Sequence, residues 1–210
     1  MRTVAEGVQQ LAGRPANVVN VYLVGDVLID AGTLAAKRRI LRQLTGRDVR
    51  SHVVTHAHPD HFGSSHAVCE TLGLALWTGA TDAEALQTGT MVPAKGRVPA
   101  LMAKSKMPPG HPVARRLSEG DDIGHGFVVL DVPGHSPGHI ALWRESDRTL
   151  VCGDVFFNLP SLRPPPDFLT VDPQRNRESM RRLAALRPAL VLFGHGPPLR
   201  DTDRLVAAAA

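Results

Sequence analysis

The stretch VVTHAHPDHFG, residues 53–63, sets three histidines and an aspartate within six positions, directly after a run of β-branched residues. In an extended chain alternate side chains point the same way, so His56 and His58 face one direction. Pro59 helps to fix the bend that follows, where Asp60 and His61 turn toward a second direction. A surface loop has no need of such alternation. Working outward, the same habit recurs: VVLDVPG leads to His135, TLVCG to Asp154 and ALVLFG to His195. Four runs of strand character thus end in imidazole or carboxylate groups. Loops at one edge of a sheet converge, and rigid strands hold the residues that follow them in place, so these seven side chains are expected to form one cluster.

The residue types point to metal. Neutral imidazole and carboxylate are the usual ligands of zinc and related divalent ions, and seven of them are too many for one tetrahedral site but suit a pair of ions. Glycines flank the later candidates in PGHSPGH, CGD and FGHG, which lets the backbone turn tightly near the ions.

The 210 residues are enough to bury a core without disulfides and are read as one domain, 1–210. The composition, 43% hydrophobic and 21% charged, is that of a globular protein, and with only 4% aromatic residues the core must be filled by valine, leucine and alanine. Cys69 and Cys152 are expected to be buried free thiols. No stretch is apolar enough to span a membrane or serve as a secretory signal, which makes a cytoplasmic location the default expectation. The net charge of +4 permits an anionic partner, but no basic tail argues for nucleic acid. A small-molecule partner is expected, with a homodimer left open.

Strands and helices alternate. NVVNVYLVGDVLIDAG reads as two strands joined at Gly25-Asp26. TLAAKRRILRQL follows as an amphipathic helix with Leu34, Leu41 and Leu44 on its apolar face. VRSHVVT, LALW, FVVLDV, IALWRE, TLVCG and ALVLFG read as strands. SSHAVCETLG is a helix stopped by Gly73, and TDAEALQ a short one. In DPQRNRESMRRLAALRP, Asp172 suits the cap, Pro173 the first turn, and Met180, Leu183 and Leu186 the buried stripe. Residues 89–117, GTMVPAKGRVPALMAKSKMPPGHPVARRL, are broken by prolines and glycines and carry Lys95, Arg97, Lys104, Lys106, Arg115 and Arg116 without an acidic residue. This stretch is expected to be an irregular loop, either a solvated face or a flap over the site.

THAHPDH, the later GH of PGHSPGH, a GD after a strand and a closing GHG resemble the metallo-β-lactamase superfamily over essentially the whole chain. The resemblance implies a four-layer αβ/βα sandwich: two mixed β-sheets back to back, helices outside, the site at one edge. It further implies that His56, His58 and His135 hold one metal, that Asp60, His61 and His195 hold the second, and that Asp154 bridges them. The cofactors implied are two divalent ions, zinc first, with Mn2+ or Fe2+ as alternatives. The chemistry implied is hydrolysis of a small ester, thioester or lactone by a metal-bridging hydroxide, as in glyoxalase II and lactonase relatives, with Asp60 orienting it and shuttling its proton. GDVFFNLPSLRPPP replaces the glycine-rich segment of glyoxalase II, which argues against a glutathione thioester. A mononuclear iron persulfide dioxygenase using His56, His135 and Asp154 is one alternative. A phosphodiesterase or nuclease, suggested only by the basic middle segment, is another.

Phe157 and Asn158, shortly after Asp154, are candidates to touch substrate, with packing under the loop as the alternative. Asp30 is either a turn former or a partner of a ligand imidazole. His139 is expected to make a structural hydrogen bond. His52, His66, His111 and His125 match no ligand position. Tyr22, in the first strand pair, is not placed favourably for an oxyanion role at the metal edge.

Overall fold

A computed structural model describes residues 1–94 and 107–210. Among the described residues fourteen strands follow one another: β1 (Arg2–Ala5), β2 (Val8–Gln10), β3 (Tyr22–Val24), β4 (Val27–Ile29), β5 (Ser51–Val54), β6 (Ala75–Gly79), β7 (Val113–Leu117), β8 (Asp122–Gly124), β9 (Phe127–Asp131), β10 (Ile140–Arg144), β11 (Thr149–Gly153), β12 (Phe157–Asn158), β13 (Leu162–Arg163) and β14 (Leu190–Phe193). Among the described residues the α-helices are α1 (Lys37–Leu44), α2 (Pro59–Phe62), α3 (Ser65–Leu72), α4 (Ala83–Thr88), α5 (Pro173–Ala185) and α6 (Thr202–Ala209). None of these helices is long and apolar enough to cross a membrane.

β1 to β7 form a seven-stranded sheet in sequence order, antiparallel as far as β4 and parallel from β4 to β7. The second sheet has the order β14-β11-β10-β9-β8, and β12 pairs with β13 in a small ribbon. The side-chain period of two explains the stacking. Tyr22, Val24, Val27, Ile29 and Val53 from the first sheet meet Phe127, Val129, Ile140, Leu142, Val151 and Leu192 from the second in one buried layer. Their sequence neighbours point the other way. Leu23, Leu28 and Val54 pack with Ile40 and Leu44 of α1 and Val68 of α3. Leu150, Cys152, Val191 and Phe193 pack with Met180 and Leu183 of α5 and Leu205 of α6. Both faces of the central strands are apolar because both are covered. The architecture is the expected αβ/βα sandwich of two mixed sheets with helices outside.

Local chemistry sets the ends of the elements. Asp172 accepts from the Arg175 N–H at 3.0 Å at the start of α5, and Gly73, at φ 67°, closes α3. One stripe differs from expectation: Ile40 and Leu44 are buried on α1 with Leu41 only partly so, and in the 3-10 turn ahead of it Ala36 is buried whereas Leu34 is 42% exposed. Within 89–117, Val113–Leu117 is an edge strand rather than loop, paired in parallel with β6. Residues 95–106 of the expected flap lie outside the described residues.

Candidate metal centre

Strand direction gathers the candidate ligands. β4 and β5 run parallel; β9 and β11 are each antiparallel to β10, and β14 is parallel to β11. All five therefore deliver their C-terminal ends to the same edge, carrying Asp30, the 56–61 motif, His135, Asp154 and His195. The extended backbone at His58 gives way to α2 with Pro59 in its first turn, which swings Asp60 and His61 away from the preceding pair.

One nitrogen each of His56, His58 and His135 lie within 4.8 Å of one another, and so do the donor atoms of Asp60, His61 and His195. Asp154 stands between the two sets. Its Oδ2 is 3.1 Å from His195 Nε2, 3.4 Å from His135 Nε2 and 3.9 Å from His56 Nε2, and its Oδ1 is 3.4 Å from His61 Nε2. Asp60 Oδ2 approaches His195 Nε2 at 3.2 Å. The Nε2 atoms of His58 and His135 and Oδ1 of Asp154 are buried without a hydrogen-bond partner. Orphaned groups of this kind are costly to bury, and cations between them would satisfy all three. The residues fit a pair of divalent ions.

Outer partners choose the nitrogen that each ring presents. His61 Nδ1 donates to Asp30 Oδ2 at 2.8 Å, His195 Nδ1 to the Val18 carbonyl, and His135 Nδ1 to Thr170 Oγ1 at 3.3 Å. His56 Nδ1 donates to Thr55 Oγ1 at 3.0 Å, and that hydroxyl donates on to Asp30. In all four rings Nε2 is left facing the centre. Asp30 is thus a hydrogen-bond partner of His61, one of the candidate ligands, and its left-handed φ of 57° aims the buried carboxylate inward. His139 makes the expected structural bond, accepting the Asp154 N–H at 3.0 Å.

Asp82 escaped the sequence reading. It is 1% exposed and accepts from the Ala57 N–H at 2.8 Å, Ser136 Oγ at 2.6 Å and the Gly138 N–H at 2.7 Å, joining the ligand loops of the two sheets. The available signal was an aspartate after a strand, which reads as an ordinary helix cap; here no cap bond forms because the carboxylate is already engaged. Gly194 is required for a different reason. A Cβ there would lie 2.0 Å from Asp154 Oδ1.

Charge divides the site. Burial pushes His56 well below the ordinary imidazole pKa, helped by the neighbouring His61, and burial beside His135 lowers His58 to about 3. Burial also opposes charge on His61 and His195, but the surrounding carboxylates overcome it. Asp154, Asp30 and Asp60 hold His61 well above its ordinary value, and Asp154 and Asp60 raise His195 to about 10. Burial would raise Asp60 and Asp154, yet His61 and His195 keep both ionised below the usual carboxylate range.

The cluster floors a cavity of about 420 Å3 whose wall includes Leu34, Met91, Phe157, Phe168 and Leu169. The exposure of Leu34 has its explanation here. Phe157 lines the opening with its ring 4.6 Å from that of His195. Asn158 is 8% exposed and donates to the Pro197 carbonyl at 2.8 Å, so it packs beneath the loop and stands outside the cavity lining.

The other candidates have structural partners. Tyr22 donates to the Phe193 carbonyl at 2.8 Å, His52 lies between the Leu28 carbonyl and Ser65 Oγ, and His125 meets Asp26 at 2.6 Å. Both cysteines are free and buried. Of the basic stretch, Arg115 pairs with Asp121 at 3.0 Å and stacks over Trp77. Lys95, Arg97, Lys104 and Lys106 lie outside the described residues.

Two back-to-back mixed sheets with a histidine and aspartate cluster at one edge define a metallohydrolase fold. Residues 14–195 match the family model for the metallo-β-lactamase superfamily, and the chain belongs to that superfamily. It is 29% identical to the probable metallo-hydrolase YflN of Bacillus subtilis (strain 168), covering 93% of this chain and 86% of that protein. It is 36% identical to a hydroxyacylglutathione hydrolase of Methylococcus capsulatus over 57% of this chain and 40% of that enzyme. Among solved structures, TTHA1623 in a di-iron-bound form superimposes with a TM-score of 0.64 at 28% identity, covering 96% of this chain and 92% of that one.

Proposed function

We propose that the protein hydrolyses small esters, thioesters or lactones with an apolar acyl group, using two divalent cations. The observation that carries this reading is the set of buried, unpartnered nitrogen and oxygen atoms at the floor of a cavity with an apolar wall. His56, His58 and His135 would hold one cation and Asp60, His61 and His195 the other, with Asp154 shared. Zinc suits this donor set, and manganese or iron fits it too. When bound, such a pair supplies an activated water nucleophile and polarises the substrate carbonyl. The remaining work belongs to the chain. Leu34, Phe157 and Phe168 bind the acyl group and exclude bulk water. Asp60, with its side chain 37% exposed at the cavity, takes up a proton at Oδ2 and passes it to the leaving oxygen or sulfur.

The metallo-hydrolase and hydroxyacylglutathione hydrolase relatives support a hydrolytic, thioester-compatible reaction. A panel of alkanoyl thioesters, aryl esters and lactones, assayed with zinc-, manganese- and iron-loaded protein, tests the proposal. Metal-dependent turnover that improves with a longer alkyl chain, at two metal equivalents per chain, is the expected result. One iron per chain with oxygenation of a persulfide and no hydrolysis would overturn it in favour of the dioxygenase, whose three ligands would be His56, His135 and Asp154.

A further inference from the structure

A second group of ligand-type side chains lies apart from the centre already described. His66 and Glu70 are four residues apart on α3, the spacing that places two side chains on one face of a helix. His111, in the segment leading to β7, comes up against that face: its ring centroid is 5.5 Å from that of His66 and its Nδ1 is 3.6 Å from Glu70 Oε1. One donor atom from each of the three residues falls within 4.8 Å of the others. An independent observation concerns the rings themselves. His66 Nδ1 and His111 Nδ1 are both buried without a hydrogen-bond partner among the described residues. Two imidazole nitrogens withheld from water, on rings packed edge to face beside a carboxylate, lack the bonds that buried polar atoms ordinarily make.

We infer that His66, Glu70 and His111 form an additional binding site for a divalent transition ion such as Zn2+. Two imidazoles and a carboxylate are a zinc-type donor set with a fourth position left for water. Ligand atoms around tetrahedral zinc stand about 3.4 Å apart, for bonds of about 2.0–2.1 Å. Glu70 supplies the adjustment, because its side chain is 63% exposed and free to change rotamer. Burial, with His66 close by, holds the His111 imidazole below its ordinary pKa, which keeps it in the neutral form that ligates. The role is structural. The His111 N–H bonds to the Leu86 carbonyl of α4, and Pro108, three residues earlier, lines the main cavity. An ion at this point would fasten the segment that carries the cavity wall to α3, which directly follows the helix bearing Asp60 and His61.

The test uses the full chain with its main centre loaded, titrated with Zn2+ and separately with Co2+. Metal equivalents are counted after gel filtration, and thermal unfolding is followed with and without added ion. The wild type is expected to hold one equivalent more than Glu70→Gln or His111→Gln, and only the wild type should show a rise in Tm on adding the ion. Glu70→Gln alters one exposed atom and guards against a folding defect. Equal metal content and equal Tm shifts in wild type and both variants would overturn the site and leave a simple His–Glu contact.

Discussion

The two halves of the centre both rely on imidazoles, and those imidazoles behave differently. The half made by His56, His58 and His135 is all imidazole, and burial strips His56 and His58 of any tendency to hold a proton. The half made by Asp60, His61 and His195 sits among Asp30, Asp60 and Asp154, so its two imidazoles are held protonated. A cation entering the first half meets His56 and His58 already neutral. A cation entering the second must displace protons, although it finds more negative charge when it arrives. Identical side chains become unequal ligands through the carboxylates placed behind them.

Five measurements would break or sharpen this contrast. Asp154→Asn removes the charge that both halves share and leaves His61 and His195 without their common counter-ion. Breaking such a buried pair costs about 3–5 kcal/mol, so metal content and hydrolysis should both fall to background. Retention of two ions would show that the halves are independent.

Asp60→Asn should lower kcat by about 10²–10⁴-fold. Full activity in that variant would remove the proton-shuttle role. Metal analysis on the same sample separates this from a lost ligand: two equivalents per chain leave the proton role as the cause, and one equivalent means that Asp60 is needed to hold the second ion.

Asp30→Asn acts one bond further out, through His61 Nδ1 and Thr55. A loss of about 10–100-fold in metal affinity is expected in the second half, which Asp30 touches directly through His61, and a smaller one in the first, which it reaches only through Thr55 and His56. Equal weakening of both ions would erase the distinction.

The pH dependence follows from the sign of the shifts. In metal-free protein His195 keeps its proton up to about pH 10, so ligation at neutral pH releases it and occupancy of the second half rises with pH. His56 and His58 are already neutral and release nothing. Calorimetry in buffers of different ionisation enthalpy should therefore show protons released with only one of the two ions. Release with neither would contradict the charge assignment.

The smallest effect belongs to the wall. Phe157→Ala should raise KM for an apolar ester by several-fold, about 1 kcal/mol of lost contact, with kcat and metal content unchanged.

Much of this was legible in the chain. The positions of the candidate ligands could be read because each follows a strand, and a strand end is announced by a β-branched or apolar run and, before the last three, by a glycine. The contiguous motif at 56–61 supplied most of them, and the isolated His135, Asp154 and His195 followed from the same grammar. What escaped depends on contacts between distant segments. Asp82 looks like a helix cap until both ligand loops are seen closing on it. Leu34 fits a helical stripe until the 3-10 turn carries it out to the cavity. Thr170 and the Val18 carbonyl orient their imidazoles across 35 and 177 positions of sequence, which no local pattern encodes. β1 and β2 at the amino end were also missed, their runs being too short and polar to stand out.

Asp82 has one more consequence. A single carboxylate touches Ala57 on one side and Ser136 and Gly138 on the other, so it acts as a ruler between the two sheets. Its removal would delete no ligand, yet the gap between the paired rings of one loop and the lone ring of the other would no longer be fixed. The failure to look for in such a protein is a loss of discrimination between ions of different radius, with every donor atom still present.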